Sequence, residues 1–351
     1  MEYRQLGRSG LRVSSLSLGT MTFGGRGVFE KVGSTGPEEA RRQLDQALDA
    51  GVNLIDTADV YSDGLSEEIV GEIVRGRRDR VLIATKVRGG MGDGANDGGL
   101  SRQHVIAACE ASLRRLGVDH IDLYQAHGWD GVAPIDETLE AFDALVRSGK
   151  VRYIGCSNFA GWQLAAAVGV AERLGLPRYV SQQIHYSLQA REAEYELVPA
   201  ALALGVGIMV WGPVAGGLLT GKYRRDSKPE SGSRQLTDWG EPPVHDTERL
   251  YDIVDALVEI GEAAGVSAAR VALAWLLGRP GVATVVVGAR TSEQLADNLA
   301  ASELELGAEA RARLDAVSAL PLIYPHWHQA GNDDGRLGEP VMSLLGQYPA
   351  G

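Results

Sequence analysis

Short apolar runs alternate with amphipathic stretches along the chain, which points to an α/β protein: a (β/α)8 TIM barrel with an N-terminal β-hairpin and extra C-terminal helices. Eight runs of strand length recur, at 15–18, 52–55, 81–85, 121–126, 151–155, 179–184, 206–211 and 282–287. Several are apolar throughout, as in Val81-Leu82-Ile83-Ala84, the pattern of parallel strands buried on both faces. Each is followed by a segment of helix length, and no Pro/Ser/Gly-rich linker intervenes. Residues 1–351 therefore read as one domain.

A hairpin cap occupies 1–14, with strands at 3–6 and 11–13 around a turn at 7–10. The first helix, 37–50, begins at Pro37-Glu38-Glu39, a proline and two carboxylates suited to a first turn, and stops at Gly51. Helical segments follow at 66–75, 101–116, 134–147, 160–174, 192–204, 247–264, 268–277 and 292–301. Three stretches are irregular. The first, 88–100, holds six glycines; the second is 212–246; the third is a tail at 320–351 with Tyr324, His326, Trp327 and His328. The first two follow strands, and in a barrel they fall on the face where βα loops build active sites.

Hydrophobic residues make up 44% and charged residues 23%, which excludes a disordered chain. The formal net charge of −12 argues against nucleic-acid binding. No apolar run approaches the roughly 18 residues of a membrane helix, and Met1-Glu2-Tyr3-Arg4 does not start a signal peptide. Two cysteines, Cys109 and Cys156, make no disulfide framework, so a cytoplasmic, reducing location is expected. The dinucleotide fingerprint G-x-G-x-x-G, the Walker loop, H-E-x-x-H and G-x-S-x-G are all missing. His326 and His328 have no further ligand cluster beside them, and no metal is expected.

The informative residues lie at strand ends. Asp56 follows Val52-Asn53-Leu54-Ile55, Tyr61 comes five residues later, Lys86 ends the third run and His127 the fourth. Alone, each has an ordinary reading: a turn former, a rim aromatic, a structural histidine. Lys86 is harder to dismiss, because the chain has five lysines against 29 arginines. Together on one barrel face the four describe a proton donor for a polarised carbonyl. A phenol, with a pKa near 10, exchanges protons near neutrality only if that value falls by about 2–3 units, roughly 3–4 kcal/mol. An ammonium about 4 Å away supplies around 4 kcal/mol at an effective dielectric near 20. Lys86 is thus expected to lower the Tyr61 pKa, Asp56 to keep Lys86 charged, and His127 to orient the carbonyl.

At these residues the sequence resembles the aldo-keto reductases, from Tyr3 to about Leu320. The resemblance rests on five blocks in order. They are Gly51-Val52-Asn53-Leu54-Ile55-Asp56-Thr57-Ala58-Asp59-Val60-Tyr61 with Ser66-Glu67; Lys86; Leu123-Tyr124-Gln125-Ala126-His127; Val151-Arg152-Tyr153-Ile154-Gly155-Cys156-Ser157-Asn158-Phe159; and Gly288-Ala289-Arg290-Thr291-Ser292-Glu293-Gln294-Leu295 with Asn298. It is nearest to the bacterial branch akin to potassium-channel β subunits and general stress-type reductases. Departures are Ser62 after Tyr61 in place of glycine, Cys156 in place of an aliphatic residue, and His185 where glutamate is commoner.

The resemblance implies a barrel that binds a nicotinamide cofactor across the strand C-terminal face, with Tyr61 as general acid. It places Ser157, Asn158 and Gln183 at the carboxamide, Trp211 against the nicotinamide ring, and Gly19, Thr20, Met21 and Asp56 on the ribose side. Gly212, Pro213, Val214, Ala215 and Gly216, with Lys222 and Arg234, would meet the pyrophosphate. Gly288, Arg290, Gln294 and Asn298 would hold the adenosine end. Arg290 suits a bidentate clamp on a 2′-phosphate, which favours NADPH, with NADH as the alternative. Phe23 and Trp129, with the 88–100 loop and the tail, are the expected substrate walls beside Tyr61 and His127. The expected partner is a small carbonyl or alcohol, apolar or aromatic; a homo-oligomer is left open. Two competing readings are a nicotinamide-binding regulatory subunit with slow turnover and an aldolase using Lys86 as a Schiff base.

Overall fold

A computed structural model describes residues 1–225, 240–338 and 340–341. Its strands are β1 (Tyr3–Gln5), β2 (Arg12–Ser14), β3 (Leu16–Gly19), β4 (Leu54–Asp56), β5 (Leu82–Val87), β6 (Ile121–Ala126), β7 (Val151–Ser157), β8 (Ser181–His185), β9 (Gly207–Trp211) and β10 (Val282–Val287). β3 to β10 form a closed parallel barrel in the order β10-β3-β4-β5-β6-β7-β8-β9, so the fold is the expected (β/α)8 barrel. Every residue of β3, β4, β6 and β10 is buried, which is why these segments are mostly apolar, with their few polar residues turned into the interior.

The helices are α1 (Pro37–Asp49), α2 (Leu65–Ile73), α3 (Arg102–Leu116), α4 (Ile135–Arg147), α5 (Gly161–Leu174), α6 (Leu197–Leu204), α7 (Thr247–Ala264), α8 (Ala268–Leu277), α9 (Ser292–Leu299), α10 (Ala308–Val317) and α11 (His326–Gly331). Their caps are written in the sequence. Ser101, Asp246, Ser267 and Thr291 each accept an amide hydrogen from the first turn of α3, α7, α8 and α9. In α1 the buried residues Ala40, Gln43, Leu44 and Ala47 form one stripe toward the barrel.

The helix expected over 192–204 is divided. A 3-10 turn, Glu192–Glu194, precedes α6, because Arg191 and Glu194 turn inward. There Arg191 donates to both Glu194 carboxylate oxygens, at 3.0 and 2.8 Å, and Arg279 adds a third donor at 3.3 Å. α10 lies beyond the helices read from the sequence; Leu314 is its one buried residue, so it carries little apolar periodicity. Among the described residues no single helix is long and apolar enough to cross a membrane.

The barrel interior is layered by the two-residue period of its strands. Leu54, Ala84, Leu123 and Met209 pack inward with Leu6 and Val13 of the hairpin, which plugs the N-terminal end. Gly7 makes this possible: at φ 58, a Cβ there would lie 2.3 Å from the Val180 carbonyl oxygen. Two positions further along the strands, the same inward face presents Asp56, Lys86, Gln125 and Trp211. A polar layer therefore sits on an apolar one.

Candidate active site

The centre of that polar layer is Lys86, which has no solvent exposure. Its three ammonium hydrogens are all used. Lys86 Nζ donates to Asp56 Oδ2 at 2.7 Å, to the Thr57 carbonyl at 2.8 Å and to the Tyr61 hydroxyl oxygen at 3.4 Å. Because lysine donates to the phenol oxygen, the Tyr61 hydrogen is left for another acceptor. Asp56 Oδ1 in turn accepts from Gln183 Nε2 at 2.8 Å and Gln125 Nε2 at 3.3 Å.

The electrostatics differ from the expectation at one point. Burial pushes the Tyr61 phenol above its ordinary range, and the Lys86 ammonium only partly draws it back. The expected net lowering is therefore corrected: desolvation outweighs the cation. Burial likewise acts to lower Lys86, but the Asp56 carboxylate prevails and holds it above its usual value. Burial, with Lys86 and Arg88 nearby, drops His127 to about 3, so its imidazole is neutral near pH 7. The His127 ring stands edge-on to Tyr61, centroids 5.9 Å apart.

Local geometry explains Ser62, the residue in place of glycine. It lies in the left-handed region at φ 51. Its Oγ donates to the Phe23 carbonyl at 2.8 Å and accepts from the Gly25 amide at 3.0 Å, which offsets the strain.

The carboxamide candidates meet beside this cluster. Ser157 Oγ and the Asn158 amide both donate to the Gln183 carbonyl at 3.0 Å. Asn158 spans two elements: its Nδ2 donates to the His127 carbonyl and its Oδ1 accepts from Trp211 Nε1, each at 3.0 Å. The indole of Trp211 is stacked on one side by His185, centroids 4.5 Å apart and 28° from parallel. After β9, Gly212, Ala215 and Gly216 adopt left-handed φ values of 64°, 50° and 64° around Pro213 and Val214, a backbone concavity of the kind that suits an anion. Lys222 is exposed just beyond, whereas Arg234 lies outside the described residues.

At the expected adenosine end, Gly288, Arg290, Gln294 and Asn298 gather around the start of α9. The Arg290 amide donates to Gln294 Oε1 at 3.0 Å, its Nε to the Val32 carbonyl at 3.3 Å, and Asn298 Nδ2 to the Gly288 carbonyl at 3.4 Å. On the ribose side Gly19 pairs with Asp56 in register, and Met21 is partly buried. The Thr20 hydroxyl is sealed inside, bonded to the Asp56 carbonyl and Ser66.

Of the substrate candidates, Phe23 is corrected. Its side chain is 0% exposed and belongs to the core between barrel and helices, so it offers no surface to a ligand. Trp129 is partly buried against Phe159 and Trp162. In the tail, Tyr324 and Trp327 are exposed, and His326 stacks on Tyr195.

Four contributors carry no assigned role in the sequence analysis above. Phe29 packs edge-on to Tyr61, centroids 5.4 Å apart, and its Gly-rich surroundings carry no periodic signal. Gln125 was visible as an amide inside a wholly buried strand. His185 stands out in the sequence only as a departure in residue type, and its stacking on Trp211 belongs to the fold. Asp59 was part of the first block; burial, reinforced by the negative Glu67, raises its pKa to about 8.

Sequence comparison places the chain among known proteins. The model of the Aldo/keto reductase family matches residues 15–319. A Bacillus subtilis (strain 168) protein named uncharacterized oxidoreductase YrpG is 44% identical over 323 residues, covering 88% of this chain and 93% of its own. A probable voltage-gated potassium channel subunit beta of Oryza sativa subsp. japonica is 37% identical, over 87% of this chain and 92% of its own. Versiconal hemiacetal acetate reductase of Aspergillus parasiticus is 35% identical, over 93% and 99%.

Proposed function

Since the chain belongs to the aldo/keto reductase family, we propose that it reduces aldehyde or ketone carbonyls to alcohols, reversibly, with NADPH as its cofactor. A bound nicotinamide supplies the hydride. The residues present suit such a cofactor: an indole fixed at one face and at its N–H, polar side chains at the ends of β7 and β8, and a concave backbone after β9. Arg290, exposed at the start of α9, is the candidate partner for a 2′-phosphate.

One observation carries the reading: a buried ammonium donates to both a carboxylate and a phenol. Tyr61 keeps its proton at neutral pH because burial disfavours the phenolate. It releases that proton to the carbonyl oxygen as charge develops there, and Lys86 stabilises the phenolate left behind. Asp56 keeps the lysine charged. His127, neutral, donates a hydrogen bond that orients the carbonyl.

The test is single-turnover oxidation of bound NADPH by an aldehyde in wild type and Tyr61→Phe. The variant is expected to bind NADPH and lose hydride transfer by at least about 1,000-fold. Near-normal turnover would remove Tyr61 as the acid. The rice relative's name motivates a second reading, a nicotinamide-binding subunit with slow release. Fast chemistry followed by cofactor release slower than any physiological turnover is its signature.

A further inference from the structure

Arg88 lies just beyond β5, two residues after Lys86, and is exposed. Its Nε donates to the Trp129 carbonyl at 2.9 Å, which anchors the guanidinium across the β5–β6 rim. The group lies along Gly128, the residue after His127. A Cβ built there would come within 3.3 Å of Arg88 Cδ and 3.8 Å of Cζ, so glycine leaves the guanidinium its place. Among the described residues the two terminal nitrogens make no hydrogen bond or ion pair.

The nearby carboxylate, Asp130, shares the field of Arg88, which helps hold its carboxyl low, but its hydrogen bonds go to backbone amides and none to the guanidinium. Asp130 accepts from the Leu100 amide at 2.6 Å and from the Val132 and Ala133 amides at 2.8 and 3.4 Å. A fixed cation with its fork unoccupied thus stands at the mouth beside His127, in a chain whose net charge is −12. β5 stands opposite β9 in the ring, so Arg88 is remote from the concave loop after β9 that suits the cofactor's phosphates.

We propose that Arg88 binds an oxyanion on the substrate, so that the preferred carbonyl compounds carry a carboxylate or a phosphate monoester. The inference rests on the carbonyl-reductase reading above and names its substrate class. Trp129, held by the same hydrogen bond and packed against Phe159, offers an apolar flank for the body of such a molecule. A planar guanidinium with two parallel donors fits either anion.

The test uses the full chain with NADPH and two matched pairs: 4-carboxybenzaldehyde against its uncharged methyl ester, and a phosphorylated aldehyde against its free alcohol. The readout is the ratio of kcat/KM, charged over uncharged, in wild type, Arg88→Gln and Arg88→Lys. In Arg88→Gln one or both ratios should fall roughly tenfold to a hundredfold, mostly through KM. Arg88→Lys should fall less, because it keeps the charge and loses the fork. The pair that responds identifies the anion. Both ratios staying within twofold of wild type in Arg88→Gln overturns the proposal. A second measurement follows binding of the unreactive dianion terephthalate by tryptophan fluorescence. Weaker binding in Arg88→Gln supports the anion site even if no carbonyl is turned over, a result that would sink the reductase reading alone. Equal binding in the two proteins, with unchanged ratios, removes Arg88 from substrate selection.

Discussion

Replacing Lys86 by Met removes the ammonium 3.4 Å from the Tyr61 hydroxyl and 2.7 Å from Asp56 with little change in volume. At 3.4 Å and an effective dielectric near 20, the cation stabilises a full phenolate by about 5 kcal/mol. Its loss lifts the Tyr61 pKa further above a value that burial already raises. If about half the phenolate charge has developed at the transition state, the barrier rises by roughly 2–3 kcal/mol and hydride transfer slows about 100-fold. The fold is affected too. Breaking a buried pair costs about 3–5 kcal/mol, and the amides of Gln183 and Gln125 on Asp56 bring this variant to the lower end. Lys86 has a raised folded pKa, so its contribution to stability is complete below the unfolded value of 10.5 and is lost only as pH climbs through the folded one. Stopped-flow single turnover gives the chemical step, and urea unfolding at pH 7 gives the stability. A hydride-transfer rate within threefold of wild type in a folded Lys86→Met protein would refute the coupling.

Two further outcomes follow from the same interior and its rim. Asp59 has a folded pKa of about 8 against 3.8 for the free group, so the native state holds a proton that the unfolded chain has released. Stability should therefore fall as pH rises from 4 to 8, and Asp59→Asn should add up to about 5 kcal/mol at pH 8 and little at pH 4, measured by urea unfolding at both. An equal gain at the two pH values would contradict the assigned protonation. Arg290→Ala should weaken NADPH roughly tenfold to a hundredfold and leave NADH within threefold, by fluorescence titration; parallel changes for the two dinucleotides would disprove a phosphate clamp.

The barrel strands were legible because burial on both faces keeps most of each run apolar; β6 and β10 emerge with the expected bounds, β6 despite Asp122 and Gln125. The split before α6 was hidden, since Arg191 and Glu194 read as ordinary helix surface until Arg279, far along the chain, meets them. Asp56, Lys86 and His127 were visible as ionisable groups at the ends of apolar strands. The balance of forces on Tyr61 was not visible, because a pairwise attraction can be worked from a spacing but desolvation depends on everything packed around the ring. Phe23 misled for a related reason: an aromatic near a strand end has the same signature whether it faces the mouth or the helices. Arg88 was seen as the first residue of a glycine-rich loop, and its anchoring by a carbonyl from the next strand's loop belongs to tertiary structure.

The seam between β3 and β10 pairs Leu16 with Val285 and Leu18 with Val287, residues from opposite ends of the barrel sequence. During synthesis the first stave must wait, its edge unpaired, until nearly the whole ring has left the ribosome, an exposure that open sheet edges tolerate poorly. The lysine–carboxylate contact joins adjacent staves and does not depend on that last join. The bond from Gln183 to Asp56 runs between staves on opposite sides of the ring, so it reports closure itself.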